Sequence, residues 1–447
     1  MRTSLRGVAA LILGLLAPGS GATAQERSVS EPRAAAEAFV ALLASGDFAA
    51  AETKLDTTMR RLMPTTRLAE TWAAIQAQAG AFRAQRGATL SRVNGYQVVS
   101  VTCEFARSSL ALQVALNPAG EVGGLHIVPA EVAWTPPAYV TPSAFRAEEV
   151  TVGTGALSLP GTLTIPSGSG PFPAVVLVHG SGPNDRDESV GGVKVFRDLA
   201  EGLSSRGIAV LRYEKRTRAH PATFAGHFTV NDETVDDAVL AAALLRTRSD
   251  IIPTRVFVLG HSLGGMMAPR IAQHDPKLAG LIILAGTTRP LEDVIMDQTA
   301  YLAAAAGADS MAAKGQMEAL RAGAAKVRGI TAADSASLTP VLGAPASYWL
   351  DLRTYHPAEV AATLRLPMLV LQGERDYQVT MGDYAGWRTA LAGKPGVVLR
   401  TYPALNHLFV AGTGKSLPAE YAAPAHVAES VVADIADWVR AQSARRP

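Results

Sequence analysis

The hydrophobic residues of this 447-residue chain follow one pattern up to about residue 129 and another from about residue 145. In the first part, apolar residues recur at helical spacing in the segments 34–44, 48–54 and 66–84. Strand-like runs come next, at 95–105, 110–116 and 123–128. Helices followed by consecutive strands predict that residues 31–129 form a small α+β domain with one sheet face covered by helices. The proline-rich residues 130–144 are typical of a semi-rigid linker.

From residue 145 onwards, apolar runs alternate with amphipathic helical segments. The runs that we predict to be strands lie at 148–152, 157–165, 174–179, 208–213, 256–259, 281–284, 368–372 and 397–402. This alternation favours the α/β class, with a mostly parallel sheet and helices on both faces. The nearly continuous apolar character of 175–178 and 369–371 is typical of strands buried on both faces.

One interval in this alternation is much longer than the others. Between the last strand predicted before it and the strand at 368–372, residues 287–366 are rich in alanine and methionine and have helical patterning. An insertion above the carboxyl ends of the strands would cover a site there, so we predict a helical cap. The alternative is a helical embellishment that takes no part in binding. Residues 145–447 as a whole then form one capped α/β domain.

The first 24 residues have the three-part pattern of a secretory signal peptide. Arg2 and Arg6 precede an apolar core at 7–17, and small residues at 22–24 supply a cleavage site before Gln25. The apolar core is shorter than the roughly 20 residues of a membrane-spanning anchor, which is the alternative. We therefore expect an exported protein, periplasmic or extracellular, with no stable membrane span after cleavage.

Composition and charge narrow the function further. Hydrophobic residues make up 48% of the chain, charged residues 18%, and the net charge of +2 gives no reason to expect a nucleic-acid partner. Cys103 is the single cysteine, so we expect no internal disulfide and a thiol buried in the core. The histidines outside the motifs described next share no ligand-like spacing. We therefore predict neither a metal site nor a bound cofactor.

The most informative segment runs from Val256 to Gly265, where an apolar strand leads into a G-x-S-x-G pentapeptide and an apolar helix. In this arrangement the serine lies at a strained strand-to-helix turn, and small residues on either side let strand and helix come close together. We therefore predict that Ser262, between Gly260 and Gly264, is a nucleophile. The backbone N–H of Leu263 would then face the reacting centre as one oxyanion donor.

A nucleophilic serine needs a histidine base and a carboxylate, which in a sheet of this kind follow in the order serine, acid, histidine. Beyond residue 376 the sequence has only two histidines. His407 lies in the loop after the last predicted strand, and His426 lies at the start of the final helix. We predict that His407 is the base. The acid is predicted to be Asp376, which follows a buried strand in a glycine-containing turn, with Glu374 and Asp383 as competitors.

A second oxyanion donor is expected from the glycine-rich loop at 179–183, which follows a predicted strand. We select the N–H of Ser181, with that of Gly180 as the alternative. Charged residues follow nearby, in the run 185–188 and the pair at 215–216. We expect them to form loop ion pairs near the site entrance, with a role in substrate selection as the alternative.

With these motifs in place, residues 145–447 resemble the α/β-hydrolase superfamily. More narrowly, HGSGPNDRD at 179–187, GHSLGG at 260–265 and QGERD at 372–376 are similar to motifs of bacterial serine esterases. The resemblance implies hydrolysis of carboxylic esters, often with short acyl chains, without a cofactor. Residues 31–129 look like the small cystatin- or NTF2-like module found ahead of some of these hydrolases.

These inferences together predict an exported serine carboxylesterase that acts on a small-molecule ester with a short to medium acyl chain. Three other functions compete. An acyl-peptidase of this fold often carries a propeller-like domain, for which residues 31–129 are too few. An acyl-CoA thioesterase would work in the cytoplasm, which the predicted signal peptide argues against. A non-catalytic binding protein is disfavoured because the serine, acid and histidine positions are all present.

Overall fold

The computed structural model describes residues 30–444 except for 94–95, 131–133, 306 and 308–310. The signal peptide predicted at 1–24 lies outside the described residues. The described residues fall into two compact units, divided between residues 133 and 134. The small antiparallel domain and the large α/β domain that the sequence predicts are both present.

In the first unit, the described helices precede the strands. The elements are α1 (Ser30–Ser45), α2 (Phe48–Thr53), α3 (Thr57–Leu62), α4 (Thr65–Ala79), β1 (Phe82–Val93), β2 (Tyr96–Phe105), β3 (Ser109–Leu116) and β4 (Val122–Pro129). The strands form one antiparallel sheet in the order β1-β2-β3-β4. Aspartate side chains cap the N-termini of two helices. Asp47 and Asp56 accept backbone N–H groups in the first turns of α2 and α3.

One element of this unit differs from the sequence prediction. The helix expected to extend to residue 84 ends at Ala79, and residues 82–93 form β1 instead. Phe82 pairs with Phe105 across β1 and β2, and the ring centroids of both lie 5.7 Å from that of Trp72. Packing of these rings across the sheet therefore overrides the local helical pattern.

The second unit alternates strands and helices. Its described strands are β5 (Phe145–Val152), β6 (Leu159–Pro166), β7 (Phe172–Val178), β8 (Ser189–Val190), β9 (Val193–Lys194), β10 (Ala209–Tyr213), β11 (Ile251–His261), β12 (Leu281–Leu284), β13 (Met368–Gly373) and β14 (Val397–Tyr402). Its described helices are α5 (Val195–Ser204), α6 (Arg216–Ala219), α7 (Asp236–Arg246), α8 (Leu263–His274), α9 (Leu291–Ala305), α10 (Met311–Gly329), α11 (Ala346–Arg353), α12 (Pro357–Thr363), α13 (Met381–Ala390) and α14 (Glu429–Ala444).

Eight of these strands form one sheet, in the order β14-β13-β12-β11-β7-β10-β6-β5. Neighbours are parallel from β14 to β10, whereas β6 pairs antiparallel with both β10 and β5. On the central strand β7, Val176 and Val178 enter one apolar core while Val175 and Leu177 enter the other. Helices α7 and α8 pack in the first core, and α5 and α14 in the second. Burial on both faces explains why these strands are almost continuously apolar.

Two segments outside the regular alternation bear on the site. Helices α9 to α12 lie between β12 and β13, where the sequence predicts a helical cap. Ahead of β5, the indole of Trp134 donates to Asp198 at 2.7 Å and the hydroxyl of Tyr139 donates to Val427 O at 2.8 Å. The later part of the proline-rich segment is therefore fastened to the second unit. Among the described residues, no helix combines the length and the apolar content needed to cross a membrane.

Candidate active site

Ser262 lies at the junction of β11 and α8, near the centre of the sheet. Its φ of 54° and ψ of −116° form a conformation that residues with side chains rarely adopt, so the predicted strained turn is present. The turn requires glycine on both sides. A Cβ on Gly260 would overlap the carbonyl oxygen of Gly264, and a Cβ on Gly264 would overlap that of Val178. The N–H of Ser262 donates to Leu284 O at 2.9 Å, which ties the turn to β12.

His407 and Asp376 form a buried pair, with the imidazole Nδ1 2.7 Å from Oδ2 of the carboxylate. Their side chains are 4% and 0% exposed. His407 follows β14 and Asp376 follows β13, and these strands are neighbours in the sheet. Gly373 lets the two loops meet, because a Cβ there would lie 2.7 Å from the carbonyl oxygen of Asn406. The structure therefore brings the predicted base and acid together.

The surroundings of Asp376 hold its carboxylate in place. Oδ1 accepts the backbone N–H groups of Gln378 and Val379 at 2.7 and 2.9 Å, and Oδ2 accepts the side-chain amide of Gln372 at 3.2 Å. A carboxylate that accepts from all these donors orients Nδ1–H of His407 toward Oδ2. The other nitrogen of the imidazole, Nε2, is then free to accept a proton.

The competing residues have other partners. Glu374 is exposed and accepts the Thr401 hydroxyl at 2.7 Å. Asp383 lies buried in the first turn of α13, where its carboxylate belongs to a capping box. His426 precedes α14, and its Nδ1 lies 3.1 Å from Oδ1 of the buried Asp198. His426 and Asp198 also form a histidine–carboxylate pair, but neither residue lines the cavity that His407 shares with Ser262.

The glycine-rich loop after β7 passes directly beside Ser262. A Cβ on Gly180 would lie 3.2 Å from the Cβ of Ser262. The N–H of Gly180 donates to Oε1 of Glu188 at 2.7 Å, so this alternative oxyanion donor is occupied. Ser181 is the next residue, and Leu263 begins α8, where the first N–H groups of a helix have no partner within it. Both predicted donors therefore belong to segments that flank the serine.

Two buried ion pairs lie against this loop. Nδ1 of His261 is 3.0 Å from Oε2 of Glu188, and Nζ of Lys215 is 2.6 Å from Oε1 of Glu233. The predicted ion pairs are present, but the expectation that they lie at the entrance is wrong for Glu188 and Lys215, which are only 3% and 2% exposed. A charge that is removed from water needs a close partner, and each of these has one.

Burial and pairing determine the protonation of these groups. Burial alone would lower the pKa of His261 and raise that of Glu188, but their mutual attraction outweighs it, so the pKa of His261 is raised and that of Glu188 is lowered. Nε2 of His261 also donates to His407 O at 2.9 Å, so both ring nitrogens face acceptors, as in an imidazolium. Burial lowers the pKa of His179 to about 4, which leaves a neutral ring bonded to Asp185 O.

A cavity of about 620 Å³ opens in front of Ser262 and His407. Its volume is in the range of roughly 300–1,000 Å³ that is usual for small-molecule sites. Much of its wall is apolar, and α9 and α11 of the cap segment contribute to it. Apolar and aromatic lining residues include Phe224, Phe228, Leu291, Ile295, Tyr348 and Trp349. The insertion between β12 and β13 is therefore part of the cavity wall.

Comparison with known proteins gives two family matches and a close relative. The profile of the family described as serine aminopeptidase, S33, matches residues 170–411. That of a family of unknown function, DUF3887, matches residues 36–125. Esterase EstD of Thermotoga maritima is 40% identical over 408 residues, which cover 90% of this chain and 93% of that protein.

Two solved structures illustrate the more distant similarities. Est1E from Butyrivibrio proteoclasticus is 14% identical with a TM-score of 0.43, covering 66% of this chain and 99% of that one. A hyperthermophilic esterase from Pyrobaculum calidifontis is 15% identical with a TM-score of 0.43, covering 67% of this chain and 87% of that one.

The S33 profile spans more than half of the chain, and the Thermotoga maritima relative spans most of it. The resemblance to α/β-hydrolase serine esterases predicted from the motifs is thereby confirmed, and so is the prediction that the protein is a hydrolase. The family match of the first unit assigns it no activity. The chain belongs to the serine aminopeptidase S33 family of α/β-hydrolases.

Proposed function

We propose that this protein is an exported serine carboxylesterase for small neutral esters, with Ser262 as nucleophile, His407 as base and Asp376 as the orienting acid. One observation carries the proposal: the 2.7 Å pair of His407 and Asp376 lies at the same cavity as the strained Ser262. The similarity to Esterase EstD over 90% of this chain supports an ester as the substrate class.

In the first half-reaction, Nε2 of His407 takes the hydroxyl proton of Ser262 while Oγ attacks the ester carbonyl carbon. The carbonyl oxygen becomes an oxyanion and accepts the N–H groups of Leu263 and Ser181. His407 then gives its proton to the departing alcohol, which leaves an acyl-enzyme. Water repeats the sequence with the same groups, releasing the carboxylic acid and restoring Ser262. Asp376 keeps hydrogen on Nδ1 of the imidazole throughout.

The charges around the cavity support an uncharged substrate. Both acidic side chains in the lining have a cationic partner, Glu188 in His261 and Glu233 in Lys215. Among the described residues that line the cavity there is no lysine or arginine. A charged substrate would therefore lose its hydration without gaining a counter-ion. The apolar wall beside the cap helices suits acyl chains of short to medium length.

The test is turnover of p-nitrophenyl esters with acyl chains from two to sixteen carbons, for the wild type and for Ser262→Ala. We expect the wild type to prefer short to medium chains and Ser262→Ala to lose kcat by about 10⁶-fold, because it lacks the nucleophile. Circular dichroism controls for folding of the variant. Ester turnover that survives in Ser262→Ala would contradict the mechanism, and a peak at the longest chains would contradict the chain length.

A peptidase is the second candidate, because the matching family is described as a serine aminopeptidase. An aminopeptidase must bind a protonated amine, for which an unpaired carboxylate in the cavity would serve. Glu233 lines the cavity but is already paired with Lys215 at 2.6 Å, which favours the esterase. Aminoacyl p-nitroanilides, assayed beside esters of the same acyl groups, separate the two functions. Faster turnover of the anilides than of the matching esters would contradict the esterase proposal and favour a peptidase.

Export is supported by the signal-peptide pattern of residues 1–24. The full chain, expressed in a bacterium with two membranes, should be recovered from the periplasm or the medium with Gln25 as its first residue. Mass spectrometry of the N-terminal peptide measures this. Recovery from the cytoplasm with residues 1–24 still attached would contradict export.

A further inference from the structure

Gly180 is held at both of its backbone polar groups by buried charged side chains. Its N–H donates to Oε1 of Glu188 at 2.7 Å, and its carbonyl oxygen accepts from Nζ of Lys215 at 2.7 Å. The side-chain amide of Asn184 donates to the same carbonyl oxygen at 3.1 Å. A glycine in a loop is the residue with the most freedom to rotate, and these contacts remove that freedom.

The contact with Lys215 determines the direction of the next N–H along the chain. The peptide between Gly180 and Ser181 is planar and trans, so its C=O and N–H point in opposite directions. Holding the C=O on Lys215 therefore turns the N–H of Ser181 to the other side. Gly180, Ser181 and Ser262 all line the cavity, whereas Lys215 lies outside its lining. A Ser181 N–H that points away from Lys215 would then face the cavity, which Gly180, Ser181 and Ser262 line.

Stability alone does not explain the charges that hold Gly180. Lys215 is neutralised by Glu233, which lies in the π-helical turn Asn231–Val235, and Glu188 is neutralised by His261. Well-packed apolar residues of similar volume often replace a buried ion pair without loss of stability, or with a gain. Single π-helical turns also recur at functional sites. Two such pairs on one loop residue therefore indicate a role in the chemistry of the site.

We propose that Lys215 and Glu188 are positioning residues of the oxyanion hole, which clamp Gly180 and thereby aim the N–H of Ser181 at the developing oxyanion. The ammonium of Lys215 also polarises the peptide that it binds, and this strengthens the N–H at the other end as a donor. The proposal rests on the proposed function, because the oxyanion forms only when Ser262 attacks an acyl carbon.

The first test uses the double variant Lys215→Met/Glu233→Gln, which removes the ammonium without leaving an unpaired buried charge. We expect kcat to fall by about 10- to 100-fold, since loss of a whole oxyanion donor costs about 10²–10³-fold. KM should change by less than about threefold, because the clamp acts on the transition state rather than on substrate binding. A trifluoromethyl ketone, which becomes an oxyanion when Ser262 adds to it, should bind more weakly by the same factor as kcat/KM.

The matched control removes a partly buried ion pair that lies away from this loop. Arg246 and Asp275 are 2.6 Å apart in the same unit, with side chains 16% and 6% exposed. Arg246→Met/Asp275→Asn should retain kcat, KM and affinity for the ketone. The control therefore separates the clamp from the general effect of removing a buried pair.

A second pair of variants tests the other side of the clamp. Glu188→Gln keeps an oxygen that accepts the N–H of Gly180, whereas Glu188→Met does not. We expect Glu188→Gln to retain most of kcat and Glu188→Met to lose about tenfold or more, with KM little changed in both. A higher kcat for Glu188→Gln than for Glu188→Met would show that the site needs the hydrogen bond to Gly180 and not only a side chain of this size.

The outcomes of these tests are separable. Turnover that does not need Ser262 overturns the proposed function. Serine-dependent turnover with unchanged kcat and ketone affinity in Lys215→Met/Glu233→Gln overturns the clamp alone. If that double variant does not fold, the comparison of Glu188→Gln with Glu188→Met decides, and equal kcat values in the two would overturn the clamp.

Discussion

The two units of this chain differ in what they bury. Among the described residues of the first unit, the buried core is hydrophobic, with Phe39, Trp72 and Cys103 among its members. The second unit also buries charged side chains, including Lys215 and Asp376. A buried charge is costly unless it is paired, so it indicates a role that an apolar residue could not fill. The contrast assigns the chemistry to the second unit and a packing role to the core of the first.

Burial of charge in the second unit serves architecture as well as chemistry. Asp198 is fully buried and accepts the indole N–H of Trp134 and the backbone N–H of Val427, so it anchors an irregular segment to the sheet. Asp376 accepts backbone N–H groups in the same way, but its histidine partner His407 lines the cavity, whereas His426 beside Asp198 does not. A buried carboxylate is thus a candidate for the reaction only when one of its oxygens meets a group at the cavity.

After the loss of Ser262 itself, the largest expected effect concerns Asp376→Asn. The amide oxygen must accept the backbone N–H groups of Gln378 and Val379, so the amide NH2 faces Nδ1 of His407. The imidazole then adopts the wrong tautomer, and kcat should fall by about 10⁴-fold. Steady-state kinetics on a p-nitrophenyl ester measure this, with urea unfolding as a control for stability. A loss of less than tenfold would show that the pair takes no part in turnover.

The next effect concerns the first unit. Trp72 is 4% exposed and contacts Phe82 and Phe105, so Trp72→Ala should lower the free energy of unfolding of this unit by about 3–5 kcal/mol. The kcat of the folded protein should stay unchanged, because the cavity residues all lie in the second unit. Urea unfolding followed by circular dichroism measures the change, because Trp72 is the only tryptophan among residues 1–133 and the variant lacks it. Leu62→Ala, at a side chain that is 40% exposed, is the matched control. A change in the kcat of the folded variant would contradict the inference that the reaction depends on the second unit alone.

A smaller effect concerns the pH dependence of stability. His261 has a pKa raised above its ordinary 6.5, so its stabilisation is complete below 6.5 and is lost as pH rises through the folded pKa. Glu188 has a pKa lowered below its ordinary 4.5, so its stabilisation is complete above 4.5 and is lost as pH falls through the folded pKa. Glu188→Gln/His261→Gln should therefore differ most from the wild type between about pH 4.5 and 6.5.

Urea unfolding across the pH range measures this difference, which we expect to be smaller than the effect of Trp72→Ala. Asp376 and His179 contribute to the same pKa shifts and are present in both proteins. A difference in unfolding free energy that does not vary with pH would contradict the assignment of a charged pair.

The smallest effect compares helix caps in the two units. Asp56 accepts the N–H of Met59 at 2.7 Å in the first unit, and Thr380 caps α13 in the second. Asp56→Ala and Thr380→Ala should each cost about 1 kcal/mol in the unit that carries them. Thermal unfolding of each variant measures the cost. A much larger loss for one cap would show that it does more than begin a helix.

Much of the candidate site could be predicted because it depends on local backbone demands. The glycines around Ser262 are required wherever a strand turns directly into a helix, so the motif carries the geometry with it. His407 and Asp376 each follow an apolar run, and parallel neighbouring strands bring such positions to the same edge of a sheet. The chain order of the three residues then left few alternatives.

The parts that could not be predicted depend on partners far along the chain. Nothing near Lys215 shows that Glu233 and Gly180 O will surround it, so a charged residue in a loop looked like a surface residue. Its position two residues after the end of the buried strand β10 is the one signal that could have indicated otherwise. Likewise, residues 82–93 form β1 because Phe82 pairs across the sheet, which a helical period does not reveal.

The parallel pairing of β7 and β11 has a consequence for how such an enzyme can change. Ser181 and Leu263 follow the ends of these two strands, where Val178 lies opposite Gly260 in the backbone ladder. The clamp on Gly180 sets the direction of the Ser181 N–H, but the spacing of the two strand ends is set by main-chain hydrogen bonds. Loops and cap helices around the cavity can lengthen, shorten or change composition without disturbing it. Descendants of this scaffold can therefore acquire new substrate preferences at the rim while inheriting the same reaction.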